Sequence, residues 1–281
     1  MYWHDIYTFQ NSIEHEFKFR GKYGAKGEKR AKRKRASPME IKKQNQTNRI
    51  IRMRRLVKAN FLPGDWWCCI KYPAGIGSRM PVEDVQKDVS SFLAAVRASY
   101  KKAGVPFKWV SRMEIGERGG IHIHLLVNRL WNQKMQTDVI LAKAWEKVLK
   151  KRGIKRTQGL IDFRPIYESG GYEALAAYIT KQPEEEEYEQ LSLFSEKEKR
   201  MLLKTSSSRN LIRPEPVRKK YEKRTLRRLI EDGPRPSPGY YIDQDSVISG
   251  INPFSGLSYY KYTECRLNEM HARGEPRGGY E

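Results

Sequence analysis

Between Phe107 and Val127 the chain reads as two strand-like runs joined by Gly116-Glu117-Arg118-Gly119-Gly120, and this hairpin constrains the fold more than any other stretch. A short connection rich in glycine is what closes two antiparallel strands. Side chains alternate between the two faces of a strand, so Ile121, Ile123, Leu125 and Val127 share one face while His122 and His124 share the other. The apolar face calls for a layer of helices, and the chain offers them on both sides of the hairpin.

The punctuation around the hairpin is regular. Asp65 to Tyr72 is rich in strand-favouring residues and ends at Pro73-Ala74-Gly75. Pro81 opens a helix in which Val82, Val85, Val89, Phe92, Leu93, Val96 and Tyr100 recur at helical spacing, and Gly104 stops it. Thr137 caps a second helix carrying Val139, Ala142, Trp145, Val148 and Leu149, with Gly153 at its end. Leu160 to Ile166 is a fourth strand and Gly171 to Lys181 a short helix. The order strand, helix, strand, strand, helix, strand predicts an α+β fold with a ferredoxin-like split βαβ core. Its four- to five-stranded antiparallel sheet carries helices on one face and leaves the other open. Three segments follow: a basic N-terminal arm and helix over 1–59, the core over 60–182, and an acidic linker with a basic extension over 183–281. Within the first, residues 11–36 read as a mobile arm, and Ser37-Pro38-Met39-Glu40 as a helix start with a capping box, the helix running to about Lys58. The acidic run Glu184 to Glu187 marks the second boundary.

Lys and Arg number 55 against 33 Asp and Glu, a formal charge of +22. From Lys18 to Lys58 there are seventeen basic residues and two acidic ones, so that segment holds most of the excess. Such a run fits a polyanion, nucleic acid before all, while a solubilising or import-like tail is the plain alternative. Apolar residues make up 38% of the chain, and no stretch approaches the roughly 20 apolar residues of a spanning helix. The N-terminus lacks the basic start and apolar run of a secretory signal. Cys68 and Cys69 are adjacent and one further Cys exists, which does not make a disulfide framework. A reducing, cytoplasmic location with no membrane association is the expectation.

His122 and His124 project from one strand face about 6–7 Å apart. If the hairpin is symmetric about Arg118, Glu114 lies across from His122 on that face. Two imidazoles and a carboxylate with open positions suit a catalytic divalent ion such as Mn²⁺ or Mg²⁺ better than a closed structural zinc site. The plain alternative is a pair of histidines on a solvated face. On the last helix Tyr178 and Lys181 stand three residues apart, a spacing that sets an ammonium beside a phenol. Tyr172, six residues earlier, is the competing tyrosine and faces another way.

His-hydrophobe-His on a central strand followed by Tyr-x-x-Lys on a later helix resembles the single-tyrosine rolling-circle replication initiators of the HUH endonuclease superfamily. Lys22 to Gly27, Glu40 to Gln46, Met113 to His124, and Ser208 to Leu211 with Pro214 are similar to the replication-associated group related to the filamentous-phage gene II protein. One departure is Ile70-Lys71-Tyr72, where such proteins often carry small hydroxyl residues. The resemblance implies nicking and rejoining of single-stranded DNA at an origin, with metal at Glu114, His122 and His124. Tyr178 would attack phosphorus and keep the 5′-phosphate, and Lys181 would steady the phosphate or help ionise Tyr178. It also implies backbone contacts from Arg112 and Arg118, and DNA binding by the basic arm and helix, with Arg33, Lys34, Arg35, Arg52 and Arg55 as contacts. The sequence has no Gly-x-x-x-x-Gly-Lys-Ser/Thr loop, so a host helicase and polymerase are the expected partners. A non-catalytic DNA-binding protein, a water-activating metal nuclease and a transposase of the same superfamily are the competing readings.

Overall fold

The computed structural model describes residues 2–20, 30–77, 80–116, 120–131, 135–181, 191–192 and 194–267. The fold is α+β, with two antiparallel five-stranded sheets. The chain divides into two compact units, residues 46–213 and residues 1–45 with 214–281.

The sheet of residues 46–213 is built from β3 (Trp66–Ile70), β4 (Trp109–Ile115), β5 (Ile121–Val127), β6 (Ile161–Pro165) and the two-residue β7 (Ser206–Ser207), in the order β6-β3-β5-β4-β7. The first and third strands of the predicted plan, β3 and β5, are central. On one face Ile121, Ile123, Leu125 and Val127 pack with Cys68 and Ile70 against α2 (Val82–Lys102) and α3 (Thr137–Lys151), whose Phe92, Val96, Tyr100, Leu141, Trp145 and Leu149 are buried. Burying a side chain of this size stabilises by roughly 1.5–3 kcal/mol, so this layer is what holds the sheet on its helices.

The opposite face is not left open as expected. Val110 and Leu126, both 0% exposed, are covered by Leu56, Val57 and Phe61, and by Ile179 of α4 (Glu173–Thr180). Leu56 and Val57 lie on α1 (Pro38–Asn60). Apolar residues on this face, Trp67 among them, need a cover, and the narrow apolar side of the basic helix supplies part of it. The capping box is present: the Glu40 N–H donates to Ser37 Oγ at 3.3 Å and the Ser37 N–H to Glu40 Oε2 at 2.8 Å.

In the other unit, β1 (Tyr2–Thr8) and β2 (Ser12–Phe19) join β8 (Val217–Tyr221), β9 (Tyr240–Asn252) and β10 (Leu257–Arg266) in the order β8-β1-β2-β10-β9. The reading of residues 11–36 as a mobile arm is thus corrected over 12–19, and the extension read within 183–281 contributes these three strands. The compact units meet at 45/46 and 213/214 rather than at the expected 59/60 and 182/183. Phe17, Tyr2, Tyr260 and Tyr262 pack with Leu226 of a helix at Lys223–Asp232, here called α6; α5 is Glu196–Leu203. The same sheet buries polar groups. His15 Nε2 lies 3.1 Å from Glu264 Oε1, and His4 Nε2 lies 2.8 Å from His15 Nδ1. Burial in particular pushes the His4 imidazole down to about 4. Lys22 to Gly27 and Glu184 to Glu187 lie outside the described residues. No helix among the described residues is long and apolar enough to cross a membrane, and Cys68, Cys69 and Cys265 are not joined in disulfides.

Candidate active site

The hairpin sets the site. Glu114 pairs with His122 and Arg112 with His124 across β4 and β5, the register of a hairpin symmetric about Arg118. The Gly116 N–H donates to the Gly120 carbonyl at 2.8 Å and closes the ladder. Arg118 itself lies outside the described residues.

Glu114 does not bond the histidine it faces. Its Oε2 lies 2.9 Å from Nε2 of His124, one pair further along β5. The Tyr178 hydroxyl donates to the same oxygen at 2.8 Å and lies 3.1 Å from His124 Nε2. Three polar atoms from β4, β5 and α4 therefore form a triangle with edges near 3 Å. The hydrogen bond from His124, with a second from Tyr178, outweighs burial and holds the Glu114 carboxyl down at about 2. Burial and the hydrogen bond to Glu114 both push the Tyr178 phenol up.

His122 stands apart from the triangle. Its ring lies against Gly116, where a Cβ would come within 2.5 Å of Cε1. Burial and the nearby Lys71 ammonium lower its pKa. Lys71 is itself paired with Asp162 of β6. Among the described residues no three His, Cys, Asp or Glu side chains converge to hold a metal ion. The donor chemistry nonetheless fits one: a carboxylate oxygen and an imidazole nitrogen near 3 Å apart span an edge of the octahedron that ligands about 2.1 Å from a small divalent ion would form. Glu114 and His124 are in place for that, and His122 is not.

The tyrosines separate cleanly. Tyr178 is 40% exposed, whereas Tyr172 is 3% exposed, in the left-handed region at φ 63° and packed in the core with Leu126 and Ile179. Lys181 lies one residue past the end of α4 with extended backbone, so the helical spacing expected to bring its ammonium beside Tyr178 does not extend to it.

Two arginines expected to meet DNA are buried. Arg55 is 8% exposed near the end of α1, and Arg112 is 4% exposed. Nη1 of Arg112 donates to the carbonyl oxygens of Tyr178, Ile179 and Lys181 at 3.1, 3.4 and 2.7 Å. Alternation placed Arg112 on the site face, but α4 covers it there. Arg33, Lys34 and Arg35 are exposed, as is Arg52 on α1. Lys34 pairs with Glu40 at 2.8 Å, and its backbone N–H holds the run to the Pro253 carbonyl at 3.0 Å.

Trp67 went unassigned in the sequence. Its ring stacks on His124 with centroids 5.3 Å apart and an 11° tilt, and meets Tyr178 edge-on at 5.8 Å. The signal was present: Trp67 alternates onto the same face as Cys69, which pairs with His124.

Residues 65–183, from the start of β3 through α4, match the family model of the replication-associated protein ORF2/gene II protein. A search of curated proteins finds no match to the chain. The matched segment contains Glu114, His122, His124 and Tyr178 and is similar to a replication-associated protein, a likeness that supports a role in DNA replication.

Proposed function

We propose that the protein is a rolling-circle replication initiator, a metal-dependent endonuclease that nicks and rejoins single-stranded DNA at an origin through Tyr178. The observation that carries this reading is the meeting of Tyr178 Oη, Glu114 Oε2 and His124 Nε2 within 3.1 Å of one another, inside the segment similar to a replication-associated family. A phenol, a carboxylate and an imidazole at one half-exposed point suit phosphodiester transesterification.

Glu114 and His124 would hold a Mn²⁺ or Mg²⁺ ion, and His122, on the same strand face, would have to turn its ring away from Gly116 to join them. When bound, the ion supplies Lewis-acid polarisation of the scissile phosphate. The chain's own residues do the rest. The phenolic O–H of Tyr178 donates to Glu114, which orients the oxygen, and the proton leaves to water as the phenol becomes a nucleophile. The Tyr178 Oη–P bond forms as the P–O3′ bond breaks, the 3′ oxygen takes a proton, and the 5′-phosphate stays on the tyrosine. The ester conserves the bond for rejoining, since attack by a 3′-hydroxyl reverses the step. Exposed Arg33, Arg35 and Arg52 supply backbone contacts. A host polymerase extends the 3′-hydroxyl and a host helicase opens the duplex, all in the cytoplasm.

The test is a 3′-end-labelled pool of single-stranded DNA incubated with the protein and Mn²⁺, denatured, and resolved beside Tyr178→Phe. Label that comigrates with wild type and is lost in the variant, while both proteins bind DNA, supports the reading. Cleaved ends without adduct favour a water-activating nuclease, and binding with neither favours a non-catalytic DNA-binding protein.

A further inference from the structure

Arg112 holds an arrangement that DNA contact does not explain. It is buried, and among the described residues it makes no ion pair; its Nη1 donates to backbone carbonyls at the end of α4, while its buried Nε has no partner among the described residues. The last carbonyls of a helix lack donors from within it. A guanidinium there satisfies them and opposes the negative end of the helix dipole. A buried cation is costly unless its partners are good ones, so its retention beside the site asks for a role.

The role follows from the length of α4. Eight residues make about two turns, too few for a helix to hold itself, so its position comes from what it touches. Ala176 and Ile179 anchor one side in the core. Along β4, Arg112 and Glu114 are two residues apart and share a face, and both reach Tyr178: Arg112 Nη1 donates to its carbonyl at 3.1 Å, and Glu114 accepts from its hydroxyl at 2.8 Å. One strand therefore grips the same tyrosine at its backbone and at its reacting end.

We infer that Arg112 is a positioning residue for the nucleophile: by clamping the C-terminal carbonyls of α4 to β4, it sets the tyrosine hydroxyl against Glu114 and His124. This rests on the reading of Tyr178 as the nucleophile. Arg112 touches neither phosphate nor metal in this role; it acts through the helix. Removing the clamp leaves the hydroxyl free to drift, and a displacement of about 1 Å at a reacting atom can cost on the order of 100-fold in rate.

The experiment uses the full chain, 3′-labelled single-stranded DNA and Mn²⁺ under single-turnover conditions, with R112M, R112K and Y178F beside wild type. Rate constant and final amplitude of adduct are recorded separately, together with DNA affinity and melting temperature. R112M is expected to slow adduct formation about 100-fold with amplitude retained and DNA affinity within about twofold of wild type. R112K keeps the charge but not the planar fork, and should recover part of the rate. If R112M does not fold, R112K carries the test by the same readouts. Three results overturn the proposal while leaving the tyrosine reading intact: an unchanged rate constant, a loss confined to amplitude, or a rate that falls in step with DNA affinity. A wild-type protein that forms no adduct overturns the tyrosine reading, and this proposal with it.

Discussion

The Tyr178 hydroxyl and the Glu114 carboxylate share a hydrogen bond of 2.8 Å, so the group proposed to bind metal is also the acceptor that keeps the phenol protonated. The two duties are compatible because the carboxylate has two oxygens and several lone pairs. In the proposed reaction Glu114 would link the ion to the nucleophile, and a change at this one side chain should be felt by both.

Chelation is accordingly expected to abolish adduct formation, and added Mn²⁺ or Mg²⁺ to restore it. Glu114→Gln and His124→Ala should each weaken Mn²⁺ binding by at least about 100-fold, more than is usual for groups that only support a ligand. Isothermal titration with Mn²⁺ measures this, with DNA affinity as the control. Wild-type Mn²⁺ affinity in both variants, or adduct formed in excess chelator, would remove the metal from the reading.

Trp67 supports the same site from β3. With His124 stacked on its face and Tyr178 against its edge, the indole fixes the planes of two side chains of the proposed site. Such ring pairs contribute about 0.5–1.5 kcal/mol beyond the area they bury. Trp67→Ala should slow the single-turnover step about tenfold, a loss of that size in free energy, and Trp67→Phe should recover most of it. An alanine variant with the wild-type rate constant would leave Trp67 as filler.

The hairpin was legible in the sequence because its information is local. Glycines at both ends of the turn and the alternation of apolar and polar residues through Ile121–Leu125 place Glu114 opposite His122, as observed. The diagonal reach of Glu114 to His124 was not legible, since register fixes which backbones are opposed but not which rotamer a carboxylate adopts. The burial of Arg112 depends on where α4 lands, a tertiary fact beyond any strand pattern. The second sheet was hidden for a related reason. Asp5 pairs with Arg218 from the far end of the chain, and Glu14, His15 and Glu264 are buried in it. Polar residues turned inward defeat the alternation by which a half-buried strand is recognised.

That inward polarity gives the second sheet a pH dependence. Asp5 is 0% exposed, and although burial would raise its carboxyl pKa, hydrogen bonds from Arg218 and Lys18 prevail and lower it from 3.8 to about 2. A carboxyl whose folded value lies below its unfolded value adds stability above the unfolded value, and loses it as pH falls through the folded one. The contribution is on the order of 2 kcal/mol near neutrality. Asp5→Asn should therefore destabilise the protein at pH 6, and the difference from wild type should shrink between about pH 4 and pH 2. Urea unfolding at a series of pH values measures it; a difference that stays constant through that window would contradict the assignment.

The basic segment makes the last prediction, and the structure divides its members. Arg55 is buried and Lys34 is paired with Glu40, whereas Arg33, Arg35 and Arg52 are exposed. These three, with the likewise exposed Lys32, Lys42, Lys43 and Arg49, are placed to displace counterions from a DNA backbone. Each phosphate contact on a single strand contributes about 0.7 to the slope of log affinity against log salt, so replacing all three with Gln should flatten that slope by about 2. These residues act on binding and not on the reacting bond, so the rate constant of adduct formation at saturating DNA should stay at the wild-type value. Fluorescence anisotropy from about 50 to 300 mM salt, run beside the single-turnover assay, separates the two effects. A slope that does not change would place the contacts elsewhere, and a fall in the saturated rate constant would give the arginines a part in the chemistry beyond binding.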